Sequence, residues 1–527
     1  MMRIVLLIGL VVSLATVHGQ DLEWIVPVDL HFPPNGDFSS TAMAVSPDGL
    51  VAIAGIQSDP YFYGSELFGN VGIKMIDAAG EMTAASTFTG KGYVQELVAH
   101  DGAFFAIGRF LDSLQLPGQA QLIVTGEPNN IGAFVCRVEA SGPVTWLHDL
   151  HDFDVEGDAS AMTIDENGVL YIAAWDFINA AIIRVDGDGA LLERWELDGV
   201  GLVSDIAVNT NGMVAIAGSC LSEEVDFNGT IVTASNDYST FTARFSPNGI
   251  LQDHLIIRDV TCPSPSVVLD GSNNSYFSAD AFIETEAGPF TIQDPPWVFG
   301  EFILRIDEAG DVMWLAQPVH GESLGDASRA SGTDLILHPD GGIMQGGFTR
   351  GNMDWGNGVV TNSTIPGNSL YFWQLDELGN TVQVVTGDEA DFAQSVHSLG
   401  WAGDEALFVL GTGYDTLHLG GMEMPAQGHH LYLSRWSALG TSVNDHVDGR
   451  PLAVFPNPTT GELTVDLSMF SGMVDLEVLD ALGRVVLTQS RLASPTAGVD
   501  LSELRQATYL VRARQEGKVL HRLLVKQ

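Results

Sequence analysis

The sequence predicts an all-β protein, a seven-bladed β-propeller with N-terminal strand closure followed by a small Ig-like β-sandwich, and three observations carry that expectation. A strand–turn–strand phrase typified by Phe302 to Gly321 recurs seven times, its turn glycine falling at Gly80, Gly142, Gly189, Gly249, Gly310, Gly379 and Gly440. Ahead of each turn lies a second strand pair, clearest at Ala44 to Gly55, Met162 to Ala173, Ile206 to Gly218 and Leu335 to Gly347. The seventh copy lacks the tryptophan-bearing outer strand that Pro143 to Leu150 and Val312 to Val319 provide, and Leu22 to Leu30, with Trp24, resembles that missing piece. Four strands per unit, with unit lengths of 47 to 69 residues, match a propeller blade somewhat longer than the roughly 40 to 50 residues of familiar blade repeats.

Taken in order, the chain begins with a secretory leader over residues 1–19: Arg3 as basic flank, Ile4 to Leu14 as apolar run and Val17-His18-Gly19 as cleavage site. That run is too short to span a bilayer. The propeller is expected over 20–443, with the strand around Trp24 pairing beside Tyr432 to Trp436 so that no sheet edge stays open at the join. Blade one carries Tyr61-Phe62-Tyr63 in its central loop, and blade two an insertion from Leu111 to Asn130. Blade three has almost none; blades four to seven carry Glu223 to Gly229, Glu284 to Trp297, Arg350 to Ser369 and Tyr414 to Gln427. These insertions share one topological position and gather on one side, where loops on a rigid scaffold build binding surfaces. Tyr61, Tyr63, Trp297 and Trp355 are the candidate binding residues. The competing expectation is that Phe68-Gly, Phe227-Asn-Gly, Trp355-Gly and Leu419-Gly tuck one apolar side chain each between blades.

Five residues before the turn glycine stand Arg137, Arg184, Arg244, Arg305 and Arg435, and two residues later Glu139, Asp186, Asp307 and Asp376 recur. Period-two alternation places arginine and acid on one face, so internal ion pairs are expected. Residues 444–452 read as a linker. The tail, 453–527, has a rigid turn at Phe455 to Gly461 and strands at Leu463 to Leu467, Val474 to Leu479, Val485 to Thr488, Tyr509 to Arg514 and Leu520 to Val525.

Net charge is −45, from 67 acidic and 22 basic side chains. Residues 451–527 hold eight of each sign, so the excess lies in the body. Such a surface repels nucleic acid and anionic membrane and leaves cations, neutral glycans or surface proteins as partners. Cys136, Cys220 and Cys262 are too few for a disulfide framework; a Cys220–Cys262 bridge stays open. No catalytic motif, P-loop or His-Glu-x-x-His spacing occurs, so no catalytic or cofactor-binding residue is assigned. Asp186-Gly187-Asp188-Gly189 resembles the start of a calcium loop without its later acid; a hairpin turn is its expected role, and structural calcium is the one cofactor left open. The body reads as a monomeric secreted or cell-surface binding, adhesion-like protein. Its rival is a secreted hydrolase or lyase acting on an extracellular polysaccharide or protein.

Two resemblances complete the picture. Residues 453–527 resemble the type A C-terminal sorting domain of Bacteroidetes type IX secretion substrates through Pro456-Asn457-Pro458, Gly461, Asp480, Gly483-Arg484, Tyr509 and Lys526; Ala507 stands where such tails commonly have glycine. That resemblance implies export across both membranes, recognition of the tail by the outer-membrane secretion machinery, and a passenger released or held at the cell surface. The blades are similar to the bacterial repeats called SBBP, which implies a scaffold without naming a ligand.

Overall fold

The computed structural model describes residues 22–526 apart from 32–40, 65, 124–130, 154–156, 176–178, 221, 235–237, 259–263, 294–299, 321–324, 331–333, 363–366, 388–393, 405, 438–453, 456–458, 469, 471–472, 480–484, 493–494, 503 and 516–517. The expected leader therefore lies outside the described residues. Those described are all-β, arranged in several sheets, and contain one 3-10 turn, Leu150–Phe153. No helix among them is long and apolar enough to cross a membrane. The chain divides into two compact units, Gln20–Gly440 and the C-terminal Thr441–Gln527.

In the larger unit the chain meanders through seven antiparallel groups. The first comprises Ala42–Val45, Val51–Tyr63, Glu66–Ile76 and the start of Met82–His100; the second the end of that strand, Ala103–Gln115, Ile131–Glu139 and Val144–Asp149. Then follow Asp158–Ile164 to Leu191–Asp198, Val200–Val208 to Leu251–Arg258, Ser266–Leu269 to Val312–Ala316, and Leu335–Leu337 to Thr381–Thr386, this sixth group being preceded by Asp326–Arg329, which pairs with its Ile343–Arg350 strand. The seventh group is Ser395–Ala402, Ala406–Tyr414 and His429–Ser437, with Leu22–Val28 as its outer strand, registered from Leu22 opposite Trp436 to Val28 opposite Leu431. The expected pairing of Trp24 with the Tyr432 to Trp436 strand is thus present. The first strand of each group neighbours the first strand of the next, and Ser395–Ala402 neighbours Ala42–Val45.

The pairing does not resolve into seven separate four-stranded sheets. Met82–His100 runs unbroken from the first group into the second because the Thr89-Gly90-Lys91 link is itself extended, producing one sheet with a seven-strand path, and a parallel bridge from Gly300 to Ala327 joins the fifth and sixth groups.

The recurring Asp-x-x-Gly turns have a local cause. The side chains of Asp77, Asp186, Asp307 and Asp376 each accept the backbone N–H groups two and four residues on, at 2.8–3.0 Å, an Asx-type closure. The fourth residue then needs positive φ: Gly379 has φ +80°, and a Cβ there would lie 2.6 Å from Trp314. Asp186 is therefore a turn former, as expected of that hairpin.

That capping role overturns the expected arginine partners. Only Arg137 pairs with the acid two residues on, Glu139 at 3.1 Å. The turn consumes the carboxylates of Asp186 and Asp307, and Arg244 and Arg435 have Ser246 and Ser437 two residues on, so these arginines reach elsewhere: Arg184 to Glu193 at 2.6 Å, Arg244 to Asp253 at 2.7 Å and Arg435 to Glu23 across the neighbouring strand, Arg305 to the Glu377 carbonyl at 3.0 Å. Arg184 and Arg244 also donate to the next group's turn, at the Pro247 carbonyl (3.3 Å) and the Asp307 carbonyl. Trp24, Trp146 and Trp314 repeat the contact, each indole N–H meeting a turn carbonyl of the following group: Ala78 at 3.1 Å, Gly187 at 3.0 Å and Glu377 at 3.1 Å. Arg244, 1% exposed, leaves three acceptors behind when removed. Arg244→Leu is expected to lower stability by about 3–5 kcal/mol, read as a fall in thermal midpoint; an unchanged midpoint would refute the link.

In the C-terminal unit, Val454–Phe455, Glu462–Asp466 and Thr496–Asp500 form one sheet and Val485–Leu492, Val474–Leu479, Ala507–Gln515 and Lys518–Lys526 another. Both contribute to one core, with Val465, Val499, Leu476, Val511 and Leu524 buried. Thr496–Asp500 is a strand the sequence reading does not anticipate.

Candidate functional site

The insertions of the fourth to seventh groups fold into short hairpins: Glu224–Phe227 with Thr230–Thr233, Thr285–Ala287 with Phe290–Ile292, Asn352–Asp354 with Val360–Asn362, and Leu417–Leu419 with Met422–Met424. Each turns an apolar side chain inward, and Phe227, Ile292, Trp355 and Leu419 are all buried. Trp355 is the correction this makes to the candidate surface. At 2% exposure it packs on Tyr371 at 4.8 Å and Trp373 at 5.3 Å, and its indole N–H donates to Thr361 at 2.8 Å. Burying so large a ring stabilises more than displaying it. Phe68 is likewise buried, against Tyr93 at 5.0 Å. Trp297 lies outside the described residues.

The first group behaves differently. Its insertion extends the main hairpin, pairing Tyr61, Phe62 and Tyr63 with Phe68, Leu67 and Glu66, and the three aromatics remain 38%, 49% and 37% exposed. Asn70 holds the base: its amide donates to Ser58 at 2.9 Å and Asp59 at 2.7 Å and accepts the Gly90 N–H at 2.8 Å. Glu66 is clamped by Arg109, which also pairs with Asp158 at 2.9 Å. Lys91 lies over the Tyr61 ring at 4.5 Å and pairs with Asp112 at 3.2 Å. The result is a pinned tip with three rings facing water.

A second feature escaped the sequence reading. The first strands of all seven groups line a cavity of about 480 Å³. Where they begin, at the end of the group that carries the insertions, register shifts make Gln95, Ser160, Ser204 and His397 extra residues; such bulges re-aim side chains. Neighbouring strands are clipped together there. Glu96 accepts the Met162 N–H at 2.5 Å, Asp205 accepts those of Ile206 at 2.8 Å and Val267 at 2.7 Å, Ser204 donates to the Pro265 carbonyl at 2.6 Å, and His397 Nε2 donates to the Thr41 carbonyl at 2.8 Å. Arg329 is buried against Asp334 at 3.0 Å and Ser266 at 2.8 Å, and Gln345 donates to Asp334 at 2.7 Å. Beside this network Asp280 and Glu301 stand opposite each other on adjacent strands, both buried, and Tyr371 donates to Glu301. Burial pushes the carboxyls of Asp205 and Asp280 up to about 7 and those of Glu96 and Glu301 well above the usual range. No signal short of tertiary structure marks these acids among 67.

Cys136 and Cys220 are buried free thiols, and Cys262 lies outside the described residues. No group of three or more His, Cys, Asp or Glu among the described residues is placed to hold a metal ion.

In the tail, Pro456, Asn457, Pro458, Asp480, Gly483 and Arg484 lie outside the described residues. Gly461 is buried, its N–H on Thr459 Oγ1 at 3.2 Å and its carbonyl accepting the Leu501 N–H at 2.8 Å. The Tyr509 hydroxyl donates to the Arg505 carbonyl at 2.9 Å. Lys526 is 7% exposed, its ammonium on the carbonyls of Ser502, at 3.1 Å, and Leu504, so its stem packs rather than extending into solvent.

Comparison with known proteins assigns the tail. Residues 453–527 match the family described as the secretion system C-terminal sorting domain. The protein is accordingly a mostly β, extracellular product of type IX secretion, with its sorting domain at the C-terminus. No curated protein matches the chain. Among solved structures it is similar to the Dos1 propeller (10% identity, 79% of this chain and 95% of that one, TM-score 0.39). It is also similar to Drosophila Semaphorin 1b extracellular domains 1-2 (9% identity, 79% and 87%, TM-score 0.37) and to a protein of unknown function from Bacteroides caccae (12% identity, 52% and 80%, TM-score 0.28).

Proposed function

We propose that residues 20–443 form a seven-bladed β-propeller that serves as an extracellular, adhesion-like binding scaffold, and that its ligand is a neutral glycan docking on Tyr61, Phe62 and Tyr63. In this reading residues 1–19 are a removable leader, 444–452 a linker, and 453–527 a sandwich-like tail read by the outer-membrane secretion machinery. Support for the propeller comes from the seven meandering groups, the unbroken succession of their first strands and the borrowed outer strand. The observation that carries the binding role is the exposed aromatic triplet on a hairpin pinned by Asn70. Four other insertions tuck their hairpins inward, whereas this one leaves three adjacent rings exposed, at the hydrophobic cost of an apolar patch left in water. Flat aromatic faces suit the apolar faces of sugar rings, and a chain of net charge −45 disfavours anionic polymers at long range.

A glycan array probed with the purified protein tests this. Neutral glycans are expected to bind, and Tyr61→Ala/Tyr63→Ala to weaken binding at least tenfold with the thermal midpoint little changed. An empty array, or affinity indifferent to the double change, would overturn the reading.

A further inference from the structure

We propose that the cavity lined by the first strands of the seven groups is a second binding site, separate from the aromatic hairpin, and that it takes a small organic cation carrying a protonated amine. Its volume, about 480 Å³, falls within the roughly 300–1,000 Å³ of small-molecule sites. Its charged lining is Glu96, Asp205, Asp334 and Arg329. Arg329 is already committed to Asp334, to Ser266 and to the Ser264 carbonyl; it faces Asp205 but forms an ion pair with neither Asp205 nor Glu96.

Glu96 and Asp205 are half-buried, and their placement on the lining directs what remains open of them to this space. Each is held by backbone N–H groups of neighbouring strands, so neither swings away to solvent. An independent observation points to an occupant: Thr41, 3% exposed, lines the same cavity with its hydroxyl oxygen lacking any hydrogen-bond partner. Farther along, the Trp401 indole also lines the cavity, and an aromatic ring suits a cation. A protonated amine brings the donors and the charge that this lining lacks.

The inference has a pH signature. Burial raises the Glu96 carboxyl well above its ordinary range and the Asp205 carboxyl to about 7, Asp205 with Asp334 and Arg329 facing it and Glu96 with Asp205 facing it. An ammonium group entering the cavity favours their ionised forms and so expels protons.

Calorimetric titration of the purified protein with putrescine, and separately with uncharged 1,4-butanediol, reads this out. Putrescine is expected to bind at pH 8, at least tenfold more weakly at pH 5.5, and at pH 6.5 with proton release that appears as a buffer-dependent heat. Butanediol is expected not to bind. Glu96→Gln/Asp205→Asn is expected to cost at least tenfold in putrescine affinity, and Tyr61→Ala/Tyr63→Ala nothing. Absent binding at pH 8, equal binding of the diol, or binding without proton release would each overturn the proposal. The proton measurement uses the unaltered protein and so decides the matter even if the double variant misfolds.

Discussion

Replacing Trp24 by alanine is expected to destabilise the Gln20–Gly440 unit by about 3–5 kcal/mol, and removing residues 20–30 to abolish its cooperative thermal transition. Trp24 lies on the strand that completes the seventh group, opposite Arg435. Its indole N–H bonds the Ala78 carbonyl at 3.1 Å in the first group's turn, and its ring meets Phe408 edge-on at 5.9 Å. One side chain therefore ties the last group of the chain to the first. Without the strand, His429–Ser437 becomes an open edge, a template for intermolecular pairing, and the Glu23–Arg435 ion pair is lost with it. Thermal unfolding followed by circular dichroism, with size-exclusion chromatography of the truncated protein, gives the result. A truncated chain that stays monomeric and melts at the original temperature would disprove the role assigned to this strand.

The second large effect is on pH dependence: the unit should become more stable as pH falls from 8 to 5. Asp205 and Asp280 are raised from 3.8 to about 7 in the folded protein, and Glu96 and Glu301 are raised well above 4.5, in every case chiefly by burial. The unfolded chain gives up these protons near pH 4, whereas in the folded chain Asp205 and Asp280 keep theirs to about 7 and Glu96 and Glu301 keep theirs well above their ordinary range. Between those limits the unfolded state binds fewer protons, so stability falls as pH rises. His397, lowered to about 4 by burial, and His338, also lowered, act oppositely, favouring the fold as pH rises toward 6.5; four acids outweigh two imidazoles. At roughly 1.4 kcal/mol per pH unit, Asp280 alone contributes about 3 kcal/mol to the difference, since its linkage runs from pH 5 to about 7. Its Oδ1 has no hydrogen-bond partner, so Asp280→Asn should raise the melting temperature at both pH values, and by less than half as much at pH 5 as at pH 8. A midpoint that is flat or falls on acidification, or a variant less stable than the parent at pH 8, would contradict the burial argument.

Much of this protein could be read without coordinates wherever the controlling interaction is short-range. The Asp-x-x-Gly turns are legible because the carboxylate that closes each one and the glycine that permits its positive φ lie within four residues. The strand at Trp24 was recognisable because it repeats the phrase around Trp146 and Trp314, and the sorting tail because its motif residues recur in linear order. The arginine partners were misread for an equally physical reason. Alternation expects Arg305 and Asp307 on one face, but it says nothing of the backbone N–H groups that claim Asp307 first, or of the Glu377 carbonyl 72 residues away that takes Arg305 instead.

Exposure is the other quantity that linear reading could not supply. Tyr61 and Trp355 look alike as aromatics in glycine-rich insertions, yet one stands in water and the other is 2% exposed, because only the second insertion doubles back as a hairpin against its own group. The amino-acid order alone determined the all-β character, the repeat, the closing strand and the export address, since each follows from local periodicity or a contiguous motif. Tertiary structure decided which acids lose their solvent, which rings keep it, and that seven first strands enclose a cavity, because burial is a property of residues brought together from distant turns of the chain.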